Sequence, residues 1–314
     1  MPIMFTQRNI ASKRLYDNVF INLSQEVFVM KKILTYLIMV LLISGCGKTI
    51  KESPPPPPPP PPPDKIVELG NPNSPQKALV IGISQYEHQT LNNPRNDAAD
   101  MANLLKEMDF HVIRAFDLNY DEMKAVLKDF RQRLTQTQAD VDKKVGLFYF
   151  SGHGARSNRD KNYLIPTNNG KIKRDYDLKH QAFHVKNEIV APLEQANKGV
   201  NIIVADACRD NPYAGSPTKG NPIRGLKIPA LQQGPQKLGA VVAFAASPGE
   251  TADDGDRRNG LYTKHLLTQM RALKNEPIEK VFRQVRQPVK QESRGNQTPA
   301  YVSTLLKKYC IGGC

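Results

Sequence analysis

Five short apolar runs constrain any fold this chain can adopt. Lys77 to Ser84 (KALVIGIS), Phe110 to Ala115, Val145 to Phe150 (VGLFYF), Val200 to Ala205 (VNIIVA) and Gly239 to Ala246 (GAVVAFAA) each have strand length and a mostly apolar composition. Continuous apolar runs are the mark of strands buried on both faces. Helical spacing separates them. Asn96 to Met108 carries apolar residues at 98, 101, 104, 105 and 108, and Tyr120 to Leu134 at 123, 126, 127, 130 and 134. Asn96 or Asp97 suits the N-cap of the first helix. Further helices are expected over 185–196, 260–273 and 278–291, with a last short strand at 300–304. Strands alternating with helices predict an α/β fold, with a largely parallel sheet covered on both faces and right-handed crossovers.

Two of these runs end in chemistry. Ser151-Gly152-His153-Gly154 follows Phe150, and Asp206-Ala207-Cys208-Arg209 follows Ala205. The carboxyl ends of parallel strands form the edge where α/β sheets bind ligands. Two such strands side by side would bring a thiol and an imidazole together, although 55 residues separate them. That pair is the minimum equipment for nucleophilic catalysis. Taken singly, each residue reads as well as a small buried hydrophobe or a loop histidine. The long stretches 155–184 and 211–237 begin just after the two candidates, as active-site loops do.

The N-terminal region has a different character. Met30-Lys31-Lys32, the apolar run Ile33 to Ile43 and Ser44-Gly45-Cys46 form a basic region, a hydrophobic region and a small-residue cleavage site. Ile43-Ser44-Gly45-Cys46 resembles a bacterial lipobox, which implies cleavage before Cys46 and lipid on its thiol. The expected organisation is an upstream extension over 1–29, a lipoprotein signal over 30–45, a Pro-rich linker over 46–76, a folded domain over 77–305 and a tail over 306–314. An uncleaved anchor is the alternative, and either way the expected location is a bacterial envelope, periplasmic or surface-facing. Ten consecutive prolines, Pro54 to Pro63, make a stiff polyproline spacer of roughly 30 Å. The formal charge is +14, of which residues 1–45 hold +3. The cations are spread out, with no basic helix and no interleaved aromatics, which argues against nucleic acid as a partner. Of the four cysteines, Cys310 and Cys314 are close enough in sequence to pair. A reduced tail is equally compatible with their spacing.

The order strand, SGHG, loop, helix, strand, DACRD resembles the caspase-like cysteine peptidases of family C14, particularly metacaspases and their bacterial relatives. The likeness covers about residues 77–304 and includes Asn96-Asp97-Ala98 and Gly260-Leu261-Tyr262-Thr263. It implies a three-layer sandwich built on a six-stranded, mostly parallel sheet. It also implies that Cys208 is the nucleophile and His153 its general acid/base, without an acidic third member. The amides of Gly154 and Cys208 are the matching oxyanion donors. Asp206 stands where animal caspases have Gln, as in metacaspases and paracaspases, and Asp97 matches a second acidic pocket position. Two carboxylates in one cleft favour a guanidinium or ammonium, so the expected substrate is a peptide or protein cut after Arg or Lys. Ser247 is expected to line the substrate cleft. Asp253-Asp254-Asp256 could hold the calcium that many metacaspases need, or form a solvated loop; no other cofactor is implied. Self-cleavage at Lys219, Arg224 or Lys227 would fit a basic preference. The alternative function is a catalytically silent, tethered binding scaffold.

Overall fold

The computed structural model describes residues 64–157, 161–208, 237–247, 250, 252–253, 255 and 257–314. Its strands are β1 (Ile66–Leu69), β2 (Gln76–Gly82), β3 (His111–Phe116), β4 (Val145–Arg156), β5 (Asn162–Leu164), β6 (Phe183–His184), β7 (Val200–Cys208), β8 (Ala240–Phe244) and β9 (Ala300–Ser303). The helices are α1 (Pro94–Glu107), α2 (Tyr120–Gln136), α3 (Leu178–Gln181), α4 (Ala191–Ala196), α5 (Leu261–Ala272) and α6 (Ile278–Glu292). Seven strands run in the order β1-β3-β2-β4-β7-β8-β9, while β5 and β6 extend β4 as a small antiparallel flap. The five central strands are parallel, and β1 and β9 close the two edges antiparallel.

The sheet is thus one strand wider than the six expected. The addition, β1, lies in the stretch read as linker, so ordered structure begins before Lys77. Its four residues alternate between exposed and half-buried, and a half-wet edge strand leaves no continuous apolar run to detect.

The pleat sorts the core into two layers. Leu79, Ile81, Phe148, Phe150, Ile203 and Ala205 face α2 and α4, while Ala78, Val80, Leu147, Tyr149, Ile202 and Val204 face α1, α5 and α6. Three layers result, with apolar side chains packed on both faces of the central strands. The site lies at the carboxyl end of this sheet.

Two further expectations change, and one open alternative is decided. Helix α1 starts at Pro94 with Asn93 as its cap, not at Asn96 or Asp97, because proline is favoured in the first turn, where its missing N–H is not needed. Asp97 is thereby released from capping. The helix expected over 185–196 opens as a π-helical turn, Val185–Val190, and becomes α-helical only at α4. The tail is anchored: Cys310 and Cys314 form a disulfide, Cys310 and Ile311 are buried, and Gly312 N–H donates to the Lys274 carbonyl at 2.7 Å. Residues 1–63, with Cys46 and the prolines, and 209–236, with the three candidate self-cleavage sites, lie outside the described residues.

Candidate active site

Parallel pairing of β4 with β7 sets Ser151 opposite Asp206 and His153 opposite Cys208. The two strand-end motifs are therefore register partners, and the positions 55 residues apart become neighbours on adjacent strands. Gly154 continues β4 opposite Leu164 of β5, where the chain leaves the main sheet for the flap.

The His153 side chain is buried and held from two directions. Its Nε2 lies 2.6 Å from the Gln89 carbonyl oxygen. A carbonyl only accepts, so Nε2 carries the hydrogen, and Nδ1 is the nitrogen that can exchange a proton. Gln89 has a positive φ of 62°, a costly conformation for a residue with a side chain, and it aims that carbonyl at the ring. Tyr86 supplies the second hold. Its ring lies 4.4 Å from the imidazole, and its hydroxyl accepts from the His153 backbone N–H at 2.7 Å while donating to the Ile165 carbonyl at 3.1 Å. A Cβ at position 152 would stand 2.5 Å from that hydroxyl, so only glycine fits there.

Beside this lies a small acidic pocket lined by Asp97, Ser151, Gly152, Asp206, Asp253 and Gly260. Asp97 comes from the first turn of α1 and is 1% exposed; Asp206 comes from β7 and is 8% exposed. Both face the same space, since a Cβ on Gly260 would stand 3.2 Å from Asp97 Oδ2 and 3.6 Å from Asp206 Oδ2. Asp97 accepts from Gly260 N–H at 3.0 Å and from the Ser151 hydroxyl at 3.0 Å. Asp206 accepts from Thr263 at 2.6 Å. Even so, burial and then repulsion from Asp206 push the Asp97 carboxyl up to about 8. Two buried carboxylates on one small space make it strongly acidic.

The other predicted residues fall less centrally. The Ser247 hydroxyl donates to the Thr298 carbonyl at 2.7 Å, which ties the segment after β8 to the one before β9. Asp254 and Asp256 lie outside the described residues, and no group of metal-ligating side chains occurs among the described ones. A larger cavity lies at the opposite edge of the sheet, lined by Gln76, Val145, Tyr309 and the Cys310–Cys314 loop. It is remote from the strand ends that carry His153 and Cys208.

Compared with known proteins, residues 75–310 match the caspase domain of peptidase family C14. The chain belongs to the caspase domain family. A human relative, mucosa-associated lymphoid tissue lymphoma translocation protein 1, is 26% identical over 224 residues, which are 66% of this chain and 24% of that protein. Its mouse homologue is 27% identical over 223 residues, with the same coverage. The chain therefore spans about a quarter of the length of these curated relatives. Among solved structures, caspase-1 from Spodoptera frugiperda is similar with a TM-score of 0.53 at 16% identity, over 78% of this chain and 93% of that one. The caspase fold is shared, and the family match supports a cysteine peptidase-like function.

Within this caspase domain the sequence left four site residues unread. Ser151 had a signal: it lies two residues before His153 and therefore on the same face of β4. Thr263 had one too, three residues into the Gly260-Leu261-Tyr262-Thr263 segment. Tyr86 and Gln89 had none, since they sit in an irregular loop and Gln89 acts through its backbone.

Proposed function

We propose that this caspase domain is a cysteine endopeptidase that cleaves after Arg or Lys, with Cys208 as nucleophile and His153 as proton carrier. One observation carries the specificity: Asp97 and Asp206, both buried, face a single pocket beside the strand ends that hold His153 and Cys208. A guanidinium entering there would meet both carboxylates, and its planar fork suits bidentate pairing better than an ammonium does.

The reaction follows from the parts. His153 Nδ1 takes the Cys208 thiol proton, and the thiolate attacks the basic residue's own carbonyl carbon. The carbonyl oxygen gains the negative charge, for which the Gly154 and Cys208 amides are the candidate donors. Collapse breaks the C–N bond, and the imidazolium returns its proton to the leaving amine. Water then hydrolyses the thioester, regenerating the thiol. The Gln89 carbonyl supports the imidazolium by accepting from Nε2–H, a role an acidic third residue would otherwise take.

The proposal extends to location: a lipid on Cys46 and the proline spacer would hold the domain off the surface of a bacterial envelope. Loss of palmitate labelling in Cys46→Ser is the expected result, and undiminished labelling would remove the anchor. For the enzyme, the decisive assay sets Arg-, Lys- and Asp-terminated fluorogenic peptides against the protein and Cys208→Ala, with and without calcium. Turnover of basic substrates that Cys208→Ala abolishes is expected. Turnover of Asp substrates alone would refute the specificity, and no turnover of any substrate would favour a tethered scaffold.

A further inference from the structure

Thr263, in the first turn of α5, is fully buried, and its single hydroxyl stands between two other polar groups. Its Oγ1 lies 2.6 Å from Asp206 Oδ2 and 2.5 Å from the Tyr149 hydroxyl. A threonine has one proton to give, and a carboxylate only accepts. Thr263 therefore donates to Asp206, which leaves Tyr149 to donate to Thr263. Tyr149 is itself fully buried in the layer under α1 and α5. Three elements, β4, α5 and β7, thus contribute one directed chain of hydroxyls from the core to the pocket. Each donor in such a chain strengthens the next.

The oxygen at the end of this chain is Oδ2, the one that a Cβ on Gly260 would meet at 3.6 Å. The donor thus holds the carboxylate by its pocket-side oxygen, which restrains the rotation of the carboxylate plane. Ser151 does the same for Asp97 at Oδ2. Carboxylate orientation matters unequally to the two basic side chains. Arg needs two parallel bonds in one plane, whereas Lys is a point charge on a flexible stem.

We infer that Thr263, backed by Tyr149, is the positioning residue that sets the plane of the Asp206 carboxylate, and with it the preference for Arg over Lys before the scissile bond. This rests on the basic-residue specificity proposed above. It adds a residue that touches no substrate, yet decides which of two cations is held better.

The test uses the full-length protein and its variants Thr263→Val, Thr263→Ser and Tyr149→Phe, with matched Arg-, Lys- and Asp-terminated coumarin peptides. Thr263→Val keeps the shape and loses the hydroxyl. Its KM for the Arg peptide should rise about tenfold, and that for the Lys peptide about threefold or less, so the Arg-to-Lys ratio of kcat/KM falls. Thr263→Ser should retain the ratio, and Tyr149→Phe should fall between the two. A purely structural role would depress both substrates together and leave the ratio alone. An unchanged ratio in folded Thr263→Val, or a loss in Thr263→Ser as large as that in Thr263→Val, overturns the inference. If Thr263→Val fails to fold, the remaining pair decides: a ratio kept in Thr263→Ser and lowered in Tyr149→Phe supports it, and a Tyr149→Phe ratio equal to the parent's overturns it. A parent protein with no preference for basic over Asp peptides removes the pocket specificity and this inference together. A basic preference that no variant alters removes this inference alone.

Discussion

The Tyr86 hydroxyl accepts from the His153 backbone, donates to the Ile165 carbonyl, and fills the space that any side chain at position 152 would need. Replacing it with Phe keeps the ring against the imidazole but releases the strand. In Tyr86→Phe, kcat should fall by about tenfold through misplacement of His153, with the far-ultraviolet circular dichroism unchanged. An undiminished kcat would show that the hydroxyl is dispensable. The acidic pocket makes a second residue-scale prediction. Burial and Asp206 raise Asp97 from 3.8 to about 8, so between those values the folded chain keeps a proton that the unfolded chain has lost. Stability must then fall as pH rises across that window. Asp97→Asn should melt higher than the parent at pH 8 but not at pH 4, and should lose turnover of Arg peptides. A parent Tm that falls as steeply in Asp97→Asn would assign the pH dependence to other groups. The strand-end positions of His153, Cys208 and Asp206 were legible, because buried apolar runs mark where strands stop. Gln89 was not, since a carbonyl belongs to every residue and only the folded loop aims this one. Asp97 was legible as a pocket residue only through resemblance; its own neighbourhood also allowed a helix cap.

At the scale of elements, the pocket depends on how closely α1 crosses β2. A Cβ at Gly82 would stand 2.3 Å from the Pro94 carbonyl oxygen, and that neighbour is backbone, which cannot swing aside. Gly82→Ala should push the start of α1 outward and carry Asp97 with it. The expected result is a lower Tm together with a KM for Arg peptides raised more than kcat is lowered. A variant that loses stability while keeping its KM would uncouple the helix from the pocket. Helix α2 offers the contrasting case. Asn119 accepts from Glu122 N–H at 3.0 Å and donates its own N–H to the Glu122 side chain at 2.8 Å, a full capping box on an element away from the site. Asn119→Ala should cost about 1 kcal/mol in denaturant titrations and leave kcat/KM alone. The five apolar runs and the amphipathic helices were readable from their patterns, because burial on one or both faces dictates them. The short pieces were not. β5, β6 and the π-helical turn are held by contacts with one another and with β4, and three residues or fewer per strand cannot express a period.

Over the whole molecule, the two edges of the sheet have separate duties. The carboxyl edge gathers the candidate chemistry, while the opposite edge is closed by the disulfide loop against the α5–α6 connection. Breaking the clip with Cys310→Ser should cost about 2 kcal/mol on the chain-entropy account of so short a loop, without altering kcat/KM. A change in kcat/KM would reveal coupling across the full height of the sheet. The antiparallel β1 carries one more consequence. Ile66 pairs with Ala115, and Leu69 pairs with Val112, so the chain enters the domain at the carboxyl edge, three strands from β4, or about 14 Å away. Tension arriving through Asp64 would be borne first by the Lys65 carbonyl on Phe116 N–H and by the Lys65–Glu122 ion pair. The four rungs of β1 come next. Under load the molecule would shed its outermost strand before β2, β4 and β7 felt any strain, as a mechanical fuse guarding the strands that hold the site.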